Sequence, residues 1–476
     1  MEEKKINKKI LLKSWFWYTI SNFLTRAMVF ITMPIFTRLM SKAEYGDFYV
    51  FASWQAILLI ICGIEVYATL NRARFDFTEP GEFDGYITSS LLLSTMLTGV
   101  VFALYLIFPH LFERFFLLDR KYMLIMFAYL FTFPALSMFQ AKQRVSYEYK
   151  LSAGVAFGVS IASSLMALLL VITMTSDRLL GRILGQYGPP IIVGLCFYLY
   201  FLYRSRDVQL RYWKYALRIG LPMVFSYVGA QIMLSSDSLV LKHMCSAEEV
   251  SYLSVTQTTS HIMLIFVQTL NTAWAPWFYD MLKLGNETEI RKTYQVYLWG
   301  IIACTFAVLL IGPEIIMVLG GPKYHDSIFI LPPVILCGVF TALTAQFGNL
   351  ETYYKKPEYA AALTAGVAVL NVILDIIGVK LWDYRAVCYT TAFCQILLIC
   401  LHYVVTGKMR IRELLPLNRL ALALLASVAL IPLALLLYQN NIVRYVCIAV
   451  VAAAVLAIVY KKKNELLALV KKFRKS

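Results

Sequence analysis

Apolar runs of about twenty residues, the length a helix needs to cross roughly 30 Å of hydrocarbon, alternate with short polar segments along the whole chain. Their positions predict about 14 transmembrane helices, near 15–39, 45–70, 85–108, 122–140, 151–174, 182–203, 216–240, 251–279, 294–319, 328–354, 359–381, 384–406, 417–438 and 442–460. In hydrocarbon each span must satisfy its own backbone N–H and C=O groups, so an all-α integral membrane protein is expected. The polar segments stay within about twenty residues, too little chain for a folded extramembrane domain. Function is therefore sought inside the bundle.

Composition and charge sharpen this picture. Hydrophobic residues make up 60% of the chain, charged residues 15%, and the mean hydropathy is +0.68. The net charge of +16 would suit nucleic acid, but the positive residues sit in the short segments between apolar runs, where they act as topology signals. With the N-terminus inside, 31 Lys and Arg fall in inner segments and 12 in outer ones, so both termini are expected in the cytoplasm. The nine cysteines are scattered without a CxxC pair and read as small core hydrophobes rather than metal ligands. The lysine-rich start, MEEKKINKKILLK, precedes a run too long for a signal-peptide core, so that run is kept as the first span.

An internal repeat appears at an offset of 204 residues: LMSKAEYGDFY (39–49) aligns with HMCSAEEVSYL (243–253), pairing Met40 with Met244, Ala43 with Ala247 and Glu44 with Glu248. Six spans separate the copies, so they share an orientation. The expected organisation is two parallel six-helix lobes, 1–203 and 216–406, joined by a basic cytoplasmic linker at 204–215. Two extra helices and a basic tail occupy 407–476. Parallel repeats suit a transporter with its substrate site between lobes and alternating access.

Polar residues inside the spans are the candidate chemistry. On the first span Thr19, Asn22, Arg26, Met33 and Thr37 share one helical face. A charge at that depth is expensive, so Arg26 either snorkels or pairs structurally, or else faces a wet cavity as a cation for an anionic group. Its planar fork suits phosphate. On the eighth span Ser254, Thr258, His261, Gln268 and Thr272 form a stripe that either lines a cavity or supplies interhelical hydrogen bonds. Glu65 and Arg72 at the end of the second span are read as a local ion pair at the cytoplasmic mouth. Asp237 is either an interfacial cap or a carboxylate that titrates as a coupling ion passes; Asn371 and Asp375, four residues apart, are the second candidate for Na+ or H+. Prolines in the spans, among them Pro134, Pro222 and Pro276, are expected kinks. No GxxxxGK[ST], HExxH or GxSxG motif appears, which excludes ATP hydrolysis through a P-loop and these soluble-enzyme chemistries.

The residues MPIFTRLMSKAEYGDFYVFAS (33–53), with their echo DSLVLKHMCSAEEVSYLSV (237–255), resemble the polysaccharide-transport family of the multidrug/oligosaccharidyl-lipid/polysaccharide exporter superfamily. That resemblance implies no enzyme activity and no cofactor beyond a coupling Na+ or H+. It implies a flippase in the bacterial cytoplasmic membrane that carries an undecaprenyl-diphosphate-linked oligosaccharide, the repeat unit of an O-antigen, capsule or exopolysaccharide, to the outer leaflet. Arg26 is the position that fits the diphosphate. Membrane lipids, a polysaccharide polymerase and glycosyltransferases are the implied partners, and nucleic acid is not. The competing readings are a multidrug exporter, a lipid II flippase, and a membrane polysaccharide polymerase or ligase; the outer segments around 109–121 and 174–182 are short for the last.

Overall fold

The computed structural model describes residues 24, 25, 27–146, 148–354, 357–407, 414 and 416–461. Among these the regular structure is helical throughout: α1 (Ala27–Leu39), α2 (Lys42–Gly63), α3 (Val66–Asp76), α4 (Glu82–Ile107), α5 (Pro109–Phe116), α6 (Arg120–Val145), α7 (Tyr149–Thr173), α8 (Arg178–Arg204), α9 (Leu210–Met244), α10 (Ala247–Leu284), α11 (Glu287–Leu319), a short 3-10 segment (Pro322–Ile330), α12 (Leu331–Tyr353), α13 (Pro357–Leu381), α14 (Ala386–Thr406), α15 (Leu417–Gln439) and α16 (Asn441–Lys461).

Eleven of the described helical stretches are long and apolar enough to cross a membrane, against the 14 runs read from sequence. The differences have identifiable causes. The first run is described only in its second half, as α1. The long α10 is diluted by its hydroxyl, amide and imidazole residues. In the last run the apolar stretch of α16 covers only Asn441–Ala454 among the described residues.

Packing groups the chain into two compact units. The first comprises Met1–Ser254, Leu319–Gly321 and Ala360–Thr390; the second comprises Val255–Val318, Pro322–Tyr359 and Thr391–Ser476. In the first unit, one core is built from aromatic residues of α2, α4, α6 and α8, including Phe51, Tyr105, Phe127 and Tyr187. A second core joins α3, α4, α6, α8 and α9 through Leu70, Tyr86, Met138, Phe201 and Tyr212. Small residues set how closely the helices approach. A Cβ on Gly185 would lie 2.1 Å from the Ala167 Cα, so α7 and α8 pack backbone to backbone at a contact only glycine permits.

The second predicted span is not one helix. Ile64 and Glu65 both adopt left-handed backbone, at φ 45° and 49°, and split it into α2 and α3. Neither is glycine, so each costs about 1–3 kcal/mol, which the surrounding packing has to offset. Gly220 of α9 meets this break closely: a Cβ there would lie 2.6 Å from the Ile64 carbonyl oxygen.

The entry to α2 is specified locally. Ser41 caps the helix by accepting from the Glu44 N–H at 3.2 Å, while the Glu44 carboxylate accepts from the Ser41 N–H at 2.8 Å. The α2 entry then meets the exit of α9 and the entry of α10. Lys242 Nζ pairs with Asp47 Oδ1 at 2.5 Å, and Lys42 Nζ donates to the Tyr252 hydroxyl at 2.6 Å. Between these pairs Gly46 lies against the Ala247 carbonyl, where a Cβ would fall 1.8 Å from the oxygen.

Candidate functional site

The strongest concentration of buried polar chemistry in the first unit lies where α9, α13 and the start of α14 meet. Ser236 and Asp237 on α9, and Asn371 and Asp375 on α13, are all at most 5% exposed. The four-residue spacing of Asn371 and Asp375 puts them one above the other on the same face of α13. Asp375 Oδ1 accepts from Asn371 Nδ2 at 3.2 Å and from the Thr390 hydroxyl of α14. The Asp237 side chain lies within hydrogen-bond reach of Asp375.

The cluster is rich in oxygen atoms. The Ser236 hydroxyl, with a single proton to give, lies 3.1 Å from Asn371 Oδ1, 3.5 Å from Asp375 Oδ2 and 3.5 Å from Asp237 Oδ1. Four carboxyl oxygens, an amide oxygen and two hydroxyls converge. Two buried carboxylates in mutual contact cannot both stay charged without a compensating positive charge. A proton shared by the pair or a monovalent cation supplies that charge, and oxygen ligands of this kind suit a hard cation.

The remaining sequence candidates fall as follows. Asp237 and the Asn371–Asp375 pair, read as two separate candidates, are brought together. Thr19, Asn22 and Arg26 lie outside the described residues. The α10 stripe divides: Ser254 and Thr258 are buried, whereas His261, Gln268 and Thr272 are exposed. The expected Glu65–Arg72 pair does not form. The break at Ile64 and Glu65 turns the Glu65 carboxyl into the protein, where it meets the Tyr67 hydroxyl, and Arg72 is exposed and pairs with Asp76 at 3.3 Å. Helical spacing relates side chains only along an unbroken helix, which is why the sequence reading erred there.

Three features escaped the sequence reading. Thr390 completes the carboxyl cluster from α14, and a threonine one turn into an apolar run gives no signal of its own. Arg182 of α8, counted among outer-segment charges, is 7% exposed with its guanidinium 3.7 Å from the Phe36 ring centroid and 4.2 Å from that of Phe48. Glu351 and His402 form a buried pair in the second unit at 2.7 Å. Both are ionisable residues within apolar runs, a signal that was present in the sequence.

The helical bundle is similar in fold to solved structures that include a lipid II flippase and a transporter of the MOP superfamily. It aligns with a lipid II flippase MurJ in an inward closed conformation at a TM-score of 0.70, with 13% identity over 94% of this chain and 99% of that one. An inward-facing multidrug-resistance transporter of the MATE family aligns at a TM-score of 0.60, with 16% identity over 82% of this chain and 95% of that one. A protein of the Lsg locus of Haemophilus influenzae is 20% identical over 419 residues, 82% of this chain and 96% of that protein. Residues 11–282 match the family described as Polysaccharide biosynthesis protein, and the chain belongs to that family. It is a multi-pass membrane protein.

Proposed function

We propose that this protein flips an undecaprenyl-diphosphate-linked oligosaccharide, the repeat unit of a surface polysaccharide, from the inner to the outer leaflet of the bacterial cytoplasmic membrane. The family description supports a role in polysaccharide biosynthesis, and the likeness in fold to a lipid II flippase supports a substrate that joins a lipid, a diphosphate and sugars. The drug-exporter reading shares the fold but has nothing in the family description to favour it.

The observation that carries the mechanism is the contact of two buried carboxyls, Asp237 and Asp375, with Ser236, Asn371 and Thr390 around them. In this reading Na+ or H+ enters that cluster, neutralises the two carboxyls and changes how α9, α13 and α14 pack. Its release on the opposite side of the membrane resets the carrier. In this reading, as the positive-inside count expects, the end where the α2 and α10 entries meet faces outward, and the Asp47–Lys242 and Lys42–Tyr252 contacts hold that end together. Arg26 would receive the diphosphate, with Asn22, Thr19, Thr258, His261 and Gln268 among the polar residues available to sugars. Two parallel six-helix lobes moving against each other, followed by two further helices, are the architecture that this cycle requires.

Surface-polysaccharide output in cells lacking the wild-type gene tests the proposal. Asp375→Asn keeps the size and the Thr390 contact while removing the charge, and is expected to cut output at least about tenfold and to abolish its dependence on a Na+ or H+ gradient. Output that stays normal and keeps its gradient dependence in both Asp375→Asn and Asp237→Asn would remove the cluster from the mechanism.

A further inference from the structure

A second ionisable site lies in the second unit, apart from the residues considered so far. Glu351 is in the last turn of α12 and His402 near the end of α14; their side chains are 0% and 1% exposed, and His402 Nδ1 lies 2.7 Å from Glu351 Oε1. Phe347, one turn before Glu351, stacks its ring on the imidazole with centroids 5.9 Å apart. Thr406 donates its hydroxyl to the His402 carbonyl. The side chains are thus held on the backbone, ring and Nδ1 sides.

What is left over points to a ligand. His402 Nε2 and Glu351 Oε2 are both buried, and neither has a hydrogen-bond partner among the described residues. A pair kept only to fasten two helices gains nothing from leaving these atoms bare, since each unsatisfied buried polar atom costs about 1–3 kcal/mol. Two charged groups of the second unit have partners of their own. Arg291 of α11 pairs with Glu287, and Arg419 of α15 lies 2.7 Å through Nε from the Gln295 amide oxygen, with that amide turned to accept. Tyr403, the next residue on α14, meets Phe347 edge to face.

We propose that His402 Nε2 is a proton-binding site and that Glu351 is its counter-charge. With Nδ1–H donating to the carboxylate, the Nε2 lone pair is free and the pair carries one negative charge. A proton delivered by hydronium adds to Nε2, the donor's O–H bond breaks and releases a neutral water, and the pair is brought to zero charge. The bare Nε2 is the atom through which the proton comes and goes, and Glu351 fixes the tautomer that keeps it available. The site gives this chain a second ion-responsive position, on helices that do not carry Asp237 or Asp375.

The test uses the full-length protein labelled with 15N-histidine and reconstituted in lipid. The chain has only five histidines, so the ring nitrogens can be followed individually, and His402→Gln identifies the signal. The expected result is that the His402 Nε2 resonance changes reversibly between its protonated and unprotonated positions as the pH is lowered and raised. Glu351→Gln should weaken that proton uptake at least about tenfold, whereas Glu351→Asp should restore part of it. A resonance that stays fixed over the whole range in the wild-type protein would overturn the proposal, as would titration unchanged in a folded Glu351→Gln. The measurement reads the protein alone, so its outcome is independent of whether an oligosaccharide is the substrate.

Discussion

The contact of Gly46 with Ala247 allows a sharp prediction, because the perturbation is one methyl group. In Gly46→Ala the new carbon would sit 1.8 Å from the Ala247 carbonyl oxygen and 2.7 Å from its carbonyl carbon. A carbon approaches a carbonyl oxygen comfortably at about 3.3 Å, so the α2 and α10 entries have to part by roughly 1.5 Å. Backbone sits on both sides of the contact, and no side chain can rotate away to absorb the overlap. Overpacking of this kind costs about 1–3 kcal/mol, and separating the entries also stretches the Asp47–Lys242 pair. The closed arrangement should therefore lose about tenfold or more in population relative to one in which this end is open. Disulfide formation in Asp47→Cys/Lys242→Cys reports the closure directly, and adding Gly46→Ala should slow it by a similar factor. Gly99→Ala is the control, since nothing lies within 4 Å of its Cβ position. Equal cross-linking rates with and without Gly46→Ala, in proteins of equal thermal stability, would refute the argument from backbone contact.

Two further predictions concern other elements. Arg444, 4% exposed on α16, donates to Glu314 Oε1 of α11, which also accepts from the Tyr445 hydroxyl at 3.0 Å. Glu314→Leu should cost about 2 kcal/mol by leaving the buried Arg444 guanidinium without this acceptor, and Arg444→Leu/Glu314→Leu should recover most of the loss, as judged by thermal unfolding in detergent. At the start of α8, Asp177 accepts from the Leu180 N–H at 2.9 Å and from Lys121. Partial burial alone would raise its carboxyl, but the Lys121 ammonium and the Leu180 N–H outweigh that and hold it below the ordinary range. A lowered native value means that this carboxylate stabilises the fold above the unfolded carboxyl range and stops doing so as the pH falls through the native value. Asp177→Ala should therefore cost about 1 kcal/mol near neutral pH, with the gap to wild type closing in acid.

Much of the secondary structure was legible because lipid leaves so few options: an apolar run of twenty residues has to be a helix, and hydropathy finds the run. The break at Ile64 and Glu65 was not, since the residues adopting left-handed backbone are isoleucine and glutamate, and the adjacent Gly63 remains in the helix. Nothing in the local sequence encodes that break; the packing around Gly220 and the Ile64 carbonyl accommodates it. The carboxyl cluster was legible residue by residue but not as a site. Asp237 and Asp375 were visible because charge in an apolar run is conspicuous, while their juxtaposition depends on how α9 packs against α13. Ser236 and Thr390, which hold them, are ordinary in sequence.

The repeat presents the opposite case, in which structure gives a sequence pattern its physical meaning. The two aligned segments, 39–49 and 243–253, meet each other at the α2 and α10 entries. Under strict two-fold symmetry every contact would occur twice, with residues 204 apart exchanging roles. Lys42 would then have a counterpart in Ser246, and Tyr252 in Phe48. Neither counterpart can reproduce the Lys42–Tyr252 bond, because Ser246 carries no charge and Phe48 no hydroxyl. Likewise Asp47 corresponds to Ser251 and Lys242 to Arg38, so that ion pair also exists only once. Gly46 corresponds to Val250, whose side chain could not occupy the position Gly46 takes against a carbonyl. At the residues that make these contacts the two aligned segments therefore differ. The first copy supplies the close backbone approach, Asp47 and Lys42, and the second supplies the Ala247 carbonyl, Lys242 and the Tyr252 hydroxyl. A closure built from unlike halves can be weakened from either side, so Asp47→Asn and Lys242→Gln should slow closure to similar degrees, whereas Ser251→Ala and Arg38→Gln should leave it unchanged.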